Sequence, residues 1–248
     1  MLDRGMRLMG GLVLGLAVQV AGAAEGAHWG YQGEGAPEHW GELAPEFAAC
    51  SLGKNQSPVD ISGAVKAQVP KLAFNYRSMA TDVVNNGHTV QTNFAPGSTL
   101  KLGEREYQLL QVHFHVPSEN AIKGKLFAME GHLVHKDKDG RLAVVAVMFK
   151  PGSQQSGVNK IWQQMPGEAG APRPFEGKLQ ASELLPGNHA YYYFSGSLTT
   201  PPCSEGVAWI VLKTPMQVSK EQLEAFSHLM HHPNNRPLQP LNARVVIE

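Results

Sequence analysis

The chain has 248 residues, with 21 Lys and Arg against 21 Asp and Glu, so its formal net charge is zero with the histidines neutral. That balance excludes the electrostatic footprint of a nucleic-acid binder or of a protein captured by anionic lipid, and it favours a small or neutral substrate. The length suits one large domain or two small ones; no linker divides it, and β-rich folds commonly use such a length for a single core.

At the start, Arg4 and Arg7 precede an apolar run from about Leu8 to Val20 and then the small residues Ala21, Gly22, Ala23 and Ala24. This is the layout of a secretory signal peptide, residues 1–23, with cleavage near 23/24. The run is short for a membrane span, which needs about 20 residues, and no later stretch qualifies. Residues 24–248 are therefore read as one exported domain, periplasmic in the first place and fully secreted in the second. Cys50 and Cys203 are the two cysteines. In an oxidising compartment an even count favours one disulfide, worth about 5 kcal/mol at most in the chain-entropy model for so long a loop; the alternative is two buried thiols.

Residues 28–43 are rich in glycine and aromatics, too irregular for a long helix, and read as an arm that packs Trp29, Tyr31 and Trp40 onto the body. Residues 54–61 (K-N-Q-S-P-V-D-I) form a polar turn leading into extended chain, because the residue before proline is biased away from helix. Then come short apolar or alternating runs at 71–76, 81–84, 89–94, 99–102, 107–116, 127–135 and 142–150. Asn86-Gly87, Pro96-Gly97, Gly103-Glu104 and Asp139-Gly140 supply turns between them. The expected fold is mainly β (α+β by some schemes), a large twisted and mostly antiparallel central sheet with short peripheral helices.

Within the fifth run, period-2 alternation sends Gln111, His113 and His115 to one face and Val112 and Phe114 to the other. The sixth run repeats the pattern, with Glu130, His132 and Val134 on one face and Leu133 opposite. Laid side by side, the two strands bring three imidazoles together. Three neutral imidazoles suit Zn²⁺, and a site with three protein ligands keeps its fourth corner for water. Gln111 and Glu130, each two positions from a histidine on the same face, are placed to accept a ligand ring's second N–H. An isolated H-x-H would more often be a half-buried strand with two satisfied histidines; the third histidine with its own glutamate favours the metal.

Residues 142–149 (L-A-V-V-A-V-M-F) lack polar alternation and belong in the middle of the sheet, buried on both faces. Further strands are expected at 190–195 and 207–212. Ser219 and Gln222 make a capping box for a helix over 220–230, with Leu223, Phe226 and Met230 as its core stripe. His228 and His232 on that helix have the i, i+4 spacing of a metal pair, yet imidazoles in a last turn also complement the helix dipole, and that reading is preferred.

With these residues assembled, the chain resembles the alpha-class carbonic anhydrases, specifically the secreted bacterial branch, from about Trp29 to Val246. The matching pieces are W-G-Y-x-G with P-E-H-W, K-N-Q-S-P-V-D-I, N-N-G-H, Q-x-H-F-H, S-E-N, E-G-H-L-V-H, S-L-T-T-P-P-C-S-E-G-V-x-W and N-x-R-P-x-Q-P-L. The resemblance implies a zinc-dependent reversible hydration of CO2 to bicarbonate and a proton, with one Zn²⁺ per chain on His113, His115 and His132. It makes Gln111, Glu130 and the backbone of Asn234 supports of the ligand rings. Thr199 is implied as the hydroxyl that orients the nucleophile while donating to Glu119, and Thr200 lines the substrate and bicarbonate site. Val134, Val144, Leu198, Val207 and Trp209 are the implied apolar wall for CO2. His88 is the implied proton shuttle, with Tyr31, Asn86 and Gln91 along its water path. Asn120 stands where many relatives have histidine, a departure bearing on the support of Glu119, and Gln91 stands where asparagine is often found. CO2 and bicarbonate are the expected partners, with no nucleic acid, and the chain is expected to be a monomer or homodimer. The rival readings are a zinc-dependent esterase, which would want a general-base carboxylate of the H-E-x-x-H kind, and a metal-free binding module, which should have lost a ligand histidine.

Overall fold

Apolar runs bounded by turn residues become strands wherever one face can be buried. The computed structural model describes residues 27–248, so the predicted signal peptide and its cleavage point lie outside the described residues. In chain order the strands are β1 (Asp60–Ile61), β2 (Leu72–Asn75), β3 (Ala80–Asn85), β4 (Val90–Phe94), β5 (Thr99–Leu102), β6 (Arg105–His115), β7 (Ala121–Ile122), β8 (Met129–Lys136), β9 (Leu142–Pro151), β10 (Arg173–Pro174), β11 (Tyr191–Ser197), β12 (Glu205–Leu212) and β13 (Met216–Val218). The α-helices are α1 (Trp40–Leu43), α2 (Ala49–Leu52), α3 (Ser156–Trp162) and α4 (Lys220–Met230). The Asn86-Gly87 and Asp139-Gly140 turns place glycine at φ +86 and +84, backbone that only glycine adopts without strain.

The main sheet runs β10-β3-β4-β6-β8-β9-β12-β11, with β5 bridging β2 and β6 and with β13 on β9. It is mostly antiparallel, as expected, with one exception centred on β9: both β12 and β13 pair with it in parallel. Parallel pairing goes with burial on both faces, which fits the unbroken apolar run in β9, where residues 143–149 are all buried. A separate parallel pair joins β1 to β7.

The alternation along β6 and β8 divides the sheet into two faces. Val112, Phe114 and Leu133 enter the larger core with Val145, Val147 and Ile210, under α3 and α4. Close packing there explains Gly131: a Cβ would lie 3.2 Å from the Phe114 ring and 3.3 Å from Phe149. The other face carries a smaller apolar cluster of Val144, Ala146, Met148, Val207, Trp209 and Val211. Helix α4 has the predicted bounds, its capping box is closed reciprocally by Ser219 and Gln222, and Phe226 and Met230 are buried. Helix α3 and strand β13 carry too few residues to show a period in sequence. Trp162 of α3 stacks on Phe226 at 5.2 Å and donates its indole N–H to the Gln222 carbonyl. Cys50 and Cys203 form the expected disulfide, spanning 153 positions, beside the fully buried Trp40.

Candidate metal centre

Strand register decides whether the three histidines meet. His113 lies directly opposite His132, Gln111 opposite Val134 and His115 opposite Glu130. One potential ligand atom from each of His113, His115 and His132 lies within 4.8 Å of the others. The rings stand edge to face or tilted, with centroids 4.6 to 5.2 Å apart, so they converge rather than stack.

Each ring has its second nitrogen engaged. His113 Nδ1 meets Gln111 Oε1 at 2.8 Å, His115 Nδ1 meets the Asn234 carbonyl at 2.7 Å, and His132 Nε2 meets Glu130 Oε1 at 2.9 Å. Because all three partners are acceptors, each ring donates there, and Nε2 of His113, Nε2 of His115 and Nδ1 of His132 are left as lone pairs. His115 Nε2 is buried with no hydrogen-bond partner among the described residues. Burial holds all three rings below the ordinary histidine range, and for His113 the neighbouring His115 and His132 add to it. Neutral rings aiming lone pairs at one point fit a borderline-soft cation with a tetrahedral preference, and they fit Zn²⁺ by their chemistry.

Glu130 is held in turn. It accepts from the Glu119 and Asn120 backbone N–H groups at 2.7 and 2.8 Å and from Asn120 Nδ2 at 2.7 Å. Asn120 Oδ1 meanwhile accepts from the Val59 N–H. Asn120, expected to bear on the support of Glu119, turns its side chain to Glu130 instead. Glu119 is fully buried, and its Oε1 accepts from the Arg236 N–H at 2.8 Å. Its Oε2 has no hydrogen-bond partner and lies 3.6 Å from His115 Nε2 and 3.9 Å from His132 Nδ1. Burial pushes its carboxyl up to about 8, against the lowering effect of the Arg236 N–H and of the nearby Thr199 hydroxyl. Thr199 is thus close enough to Glu119 to act on its carboxyl. Glu119 lies outside the group of ligand atoms that all approach one another within 4.8 Å.

A cavity of about 120 Å³ opens over the rings, lined by Trp29, Tyr31, Asn86, His88, Gln91, His113, His115 and Thr200 among others. His88 stacks on Trp29 with centroids 3.7 Å apart and planes 8° from parallel. Burial lowers its pKa, and His28 and His232 lower it further. Asn86 spends its carboxamide oxygen on the His88 and Thr89 N–H groups, so it shapes the turn that carries His88. Gln91 donates to Asn93. Tyr31 is raised well above the ordinary phenol by burial and then by Glu119, so it stays neutral.

The five apolar residues belong to one cluster. Val144, Val207 and Trp209 are core members of the smaller cluster, with Val134 and Leu198 packed against it. Trp209 meets His132 edge to face at 5.0 Å. The helix-end histidines lie elsewhere: His228 and His231 are exposed, and His232 reaches the Tyr31 ring at 6.0 Å, at the rim of the cavity. Two contributors carry no local signal in the sequence: Trp29, which stacks on His88, and Arg236, whose N–H holds Glu119.

The family model for eukaryotic-type carbonic anhydrase matches residues 35–248. A carbonic anhydrase of Neisseria gonorrhoeae is 49% identical over 236 residues, covering 94% of this chain and 92% of its own. One from Pectobacterium carotovorum is 48% identical over 227 residues, covering 92% and 93%. Among solved structures, the alpha-carbonic anhydrase from Thermovibrio ammonificans in complex with sulfanilamide superposes with a TM-score of 0.88 at 48% identity, over 90% of this chain and 100% of that one.

Proposed function

The chain belongs to the eukaryotic-type, alpha-class carbonic anhydrase family, and from that premise we propose that His113, His115 and His132 hold one Zn²⁺ per chain at the centre of its CO2-hydrating site. The enzyme is a lyase that interconverts CO2 and water with bicarbonate and a proton. When bound, zinc would supply a water whose pKa is drawn down from far above the physiological range to about 7, the value general to carbonic anhydrases as a class.

The remaining work falls to the chain's own groups. Gln111, Asn234 and Glu130 fix the ring tautomers so that all three lone pairs face the metal. Glu119, whose Oε2 lies 3.6 Å from His115 Nε2, would be favoured in its ionised form by a cation held on the three rings. Thr199, with a single donor, directs its hydroxyl hydrogen bond to that carboxylate and keeps lone pairs to orient the nucleophile. Val134, Val144, Leu198, Val207 and Trp209 receive CO2 and exclude water, while Thr200 meets bicarbonate at the opposite side. His88, at the cavity rim on Trp29, carries the released proton between the pocket and buffer. The disulfide and the signal-like N-terminus support an oxidising, periplasmic location.

The observation that carries this reading is the set of three second-nitrogen acceptors, which leaves three lone pairs converging. Stopped-flow CO2 hydration with a pH indicator tests it. Activity disappears on chelation and returns with one equivalent of Zn²⁺; a fully loaded protein without activity contradicts the reading and leaves a binding module, and ester cleavage alone leaves the esterase.

A further inference from the structure

The segment 234–236 does two things at the site, and it does them without belonging to any helix or strand. The Asn234 carbonyl holds the His115 ring, and the Arg236 N–H holds Glu119. An irregular segment lacks a repeating backbone ladder and is placed by individual contacts, here the Asn234 N–H on the Val116 carbonyl together with what its side chains grip. Asn234 grips locally: its amide spans the Val116 N–H, the Phe114 carbonyl and the His88 carbonyl. Arg236 grips at a distance. Its Nη1 donates to Gln56 Oε1 and to the Ser57 carbonyl, and its Nη2 to the Cys50 carbonyl, each at 2.8 Å. The guanidinium also lies over the Trp40 ring, 5.6 Å from its centroid.

We infer that Arg236 is a positioning residue of the hydration reaction, its guanidinium clamping the 234–236 segment so that the His115 ring and Glu119 are held together in working orientation. Arg236 is only 2% exposed, and its acceptors are carbonyl and amide oxygens. A buried cation is costly, and a site needing only packing is served as well by an apolar side chain. What the planar fork adds is direction: it reaches acceptors on two stretches of chain at once, which a lysine's point charge does less well. Those stretches lead to the other side of the cavity. Gln56 Nε2 also donates to the Cys203 carbonyl, and the Cys203 N–H donates to the Thr200 carbonyl. The guanidinium thus ties the supports of His115 and Glu119 to the disulfide and to the loop that carries Thr199 and Thr200.

The inference rests on the zinc reading above, and its test separates the two. The zinc-loaded full chain is compared with R236M, which keeps an apolar stem over Trp40, and with R236K, which keeps a charge. Second-nitrogen partners of metal-bound histidines matter by about 10- to 100-fold. R236M accordingly releases zinc to a chelator about 10-fold faster and loses about 10-fold in kcat/KM, with R236K intermediate. The buried Nδ1–H proton of His115, hydrogen-bonded to the Asn234 carbonyl, also exchanges faster in the zinc-free R236M protein than in the zinc-free unaltered chain. A melting temperature that falls while zinc release, kcat/KM and that exchange rate stay within twofold overturns the inference. If R236M does not fold, R236K decides by the same thresholds. Should the unaltered chain bind no zinc, the zinc reading fails, and the His115 exchange rate still decides the role of Arg236.

Discussion

His132 and His135 lie three residues apart on β8, one on each face of the sheet, and both are at most 1% exposed. His132 has one nitrogen on Glu130 and the other aimed at a point shared with two further rings. His135 has both nitrogens answered from within the core, Nε2 by the Tyr76 hydroxyl at 2.6 Å and Nδ1 by the Ala143 carbonyl at 3.3 Å. Burial alone does not make a histidine a ligand. One nitrogen must be fixed by an acceptor and the other left without a partner, and among the described residues only the face shared with β6 arranges that three times.

The largest effect expected from breaking this contrast comes from H132A, which removes one of three ligands. CO2 hydration falls at least about 10³-fold, because two nitrogens no longer hold the ion that makes the nucleophile at neutral pH. Stopped-flow rates and zinc content by atomic emission check it. Next comes E130Q, which leaves the three rings in place but weakens the acceptor behind His132. Zinc release should quicken by about 10-fold, read by transfer to a chromophoric chelator, with the fold retained.

The smallest effect belongs to the core histidine and concerns stability alone. Burial lowers the His135 pKa from 6.5 to about 4, although bonds to the Ala143 and Leu133 carbonyls oppose this. The unfolded chain therefore takes up a proton near pH 6.5 that the folded chain refuses until about pH 4. The stability tied to the neutral ring is complete above pH 6.5 and is lost progressively as pH falls from 6.5 to 4, by about 3 kcal/mol in all. Urea unfolding across that window, compared with H135Q, isolates the contribution: the unaltered chain shows the steeper loss. Equal slopes would place His135 in a wetter or charge-paired setting.

The part of this contrast carried by local chain was legible in the sequence. Period-2 alternation put Gln111, His113 and His115 on one face and Val112 and Phe114 on the other, and the Ser219–Gln222 capping box set the start of α4. His135 was equally visible as a residue of β8, but nothing local marks Tyr76 as its partner, 59 positions away. The same limit hid the grip of Arg236 on Cys50, across 186 positions, and the turn of Asn120 toward Glu130. The parallel pairing of β9 with β12 is a matter of topology; the apolar run announced its burial and not its direction. Family resemblance supplied Glu119, Thr199 and His88, where local patterns alone favour a loop carboxylate, a strand exit and a surface histidine.

The most direct test of the central claim is a crystal structure of the zinc-loaded protein, with the metal located by anomalous scattering. One ion per chain should lie about 2.0 to 2.1 Å from Nε2 of His113, Nε2 of His115 and Nδ1 of His132, with a solvent oxygen at the fourth corner. An ion absent from that point, or a fourth corner closed by Glu119 Oε2, would contradict the account.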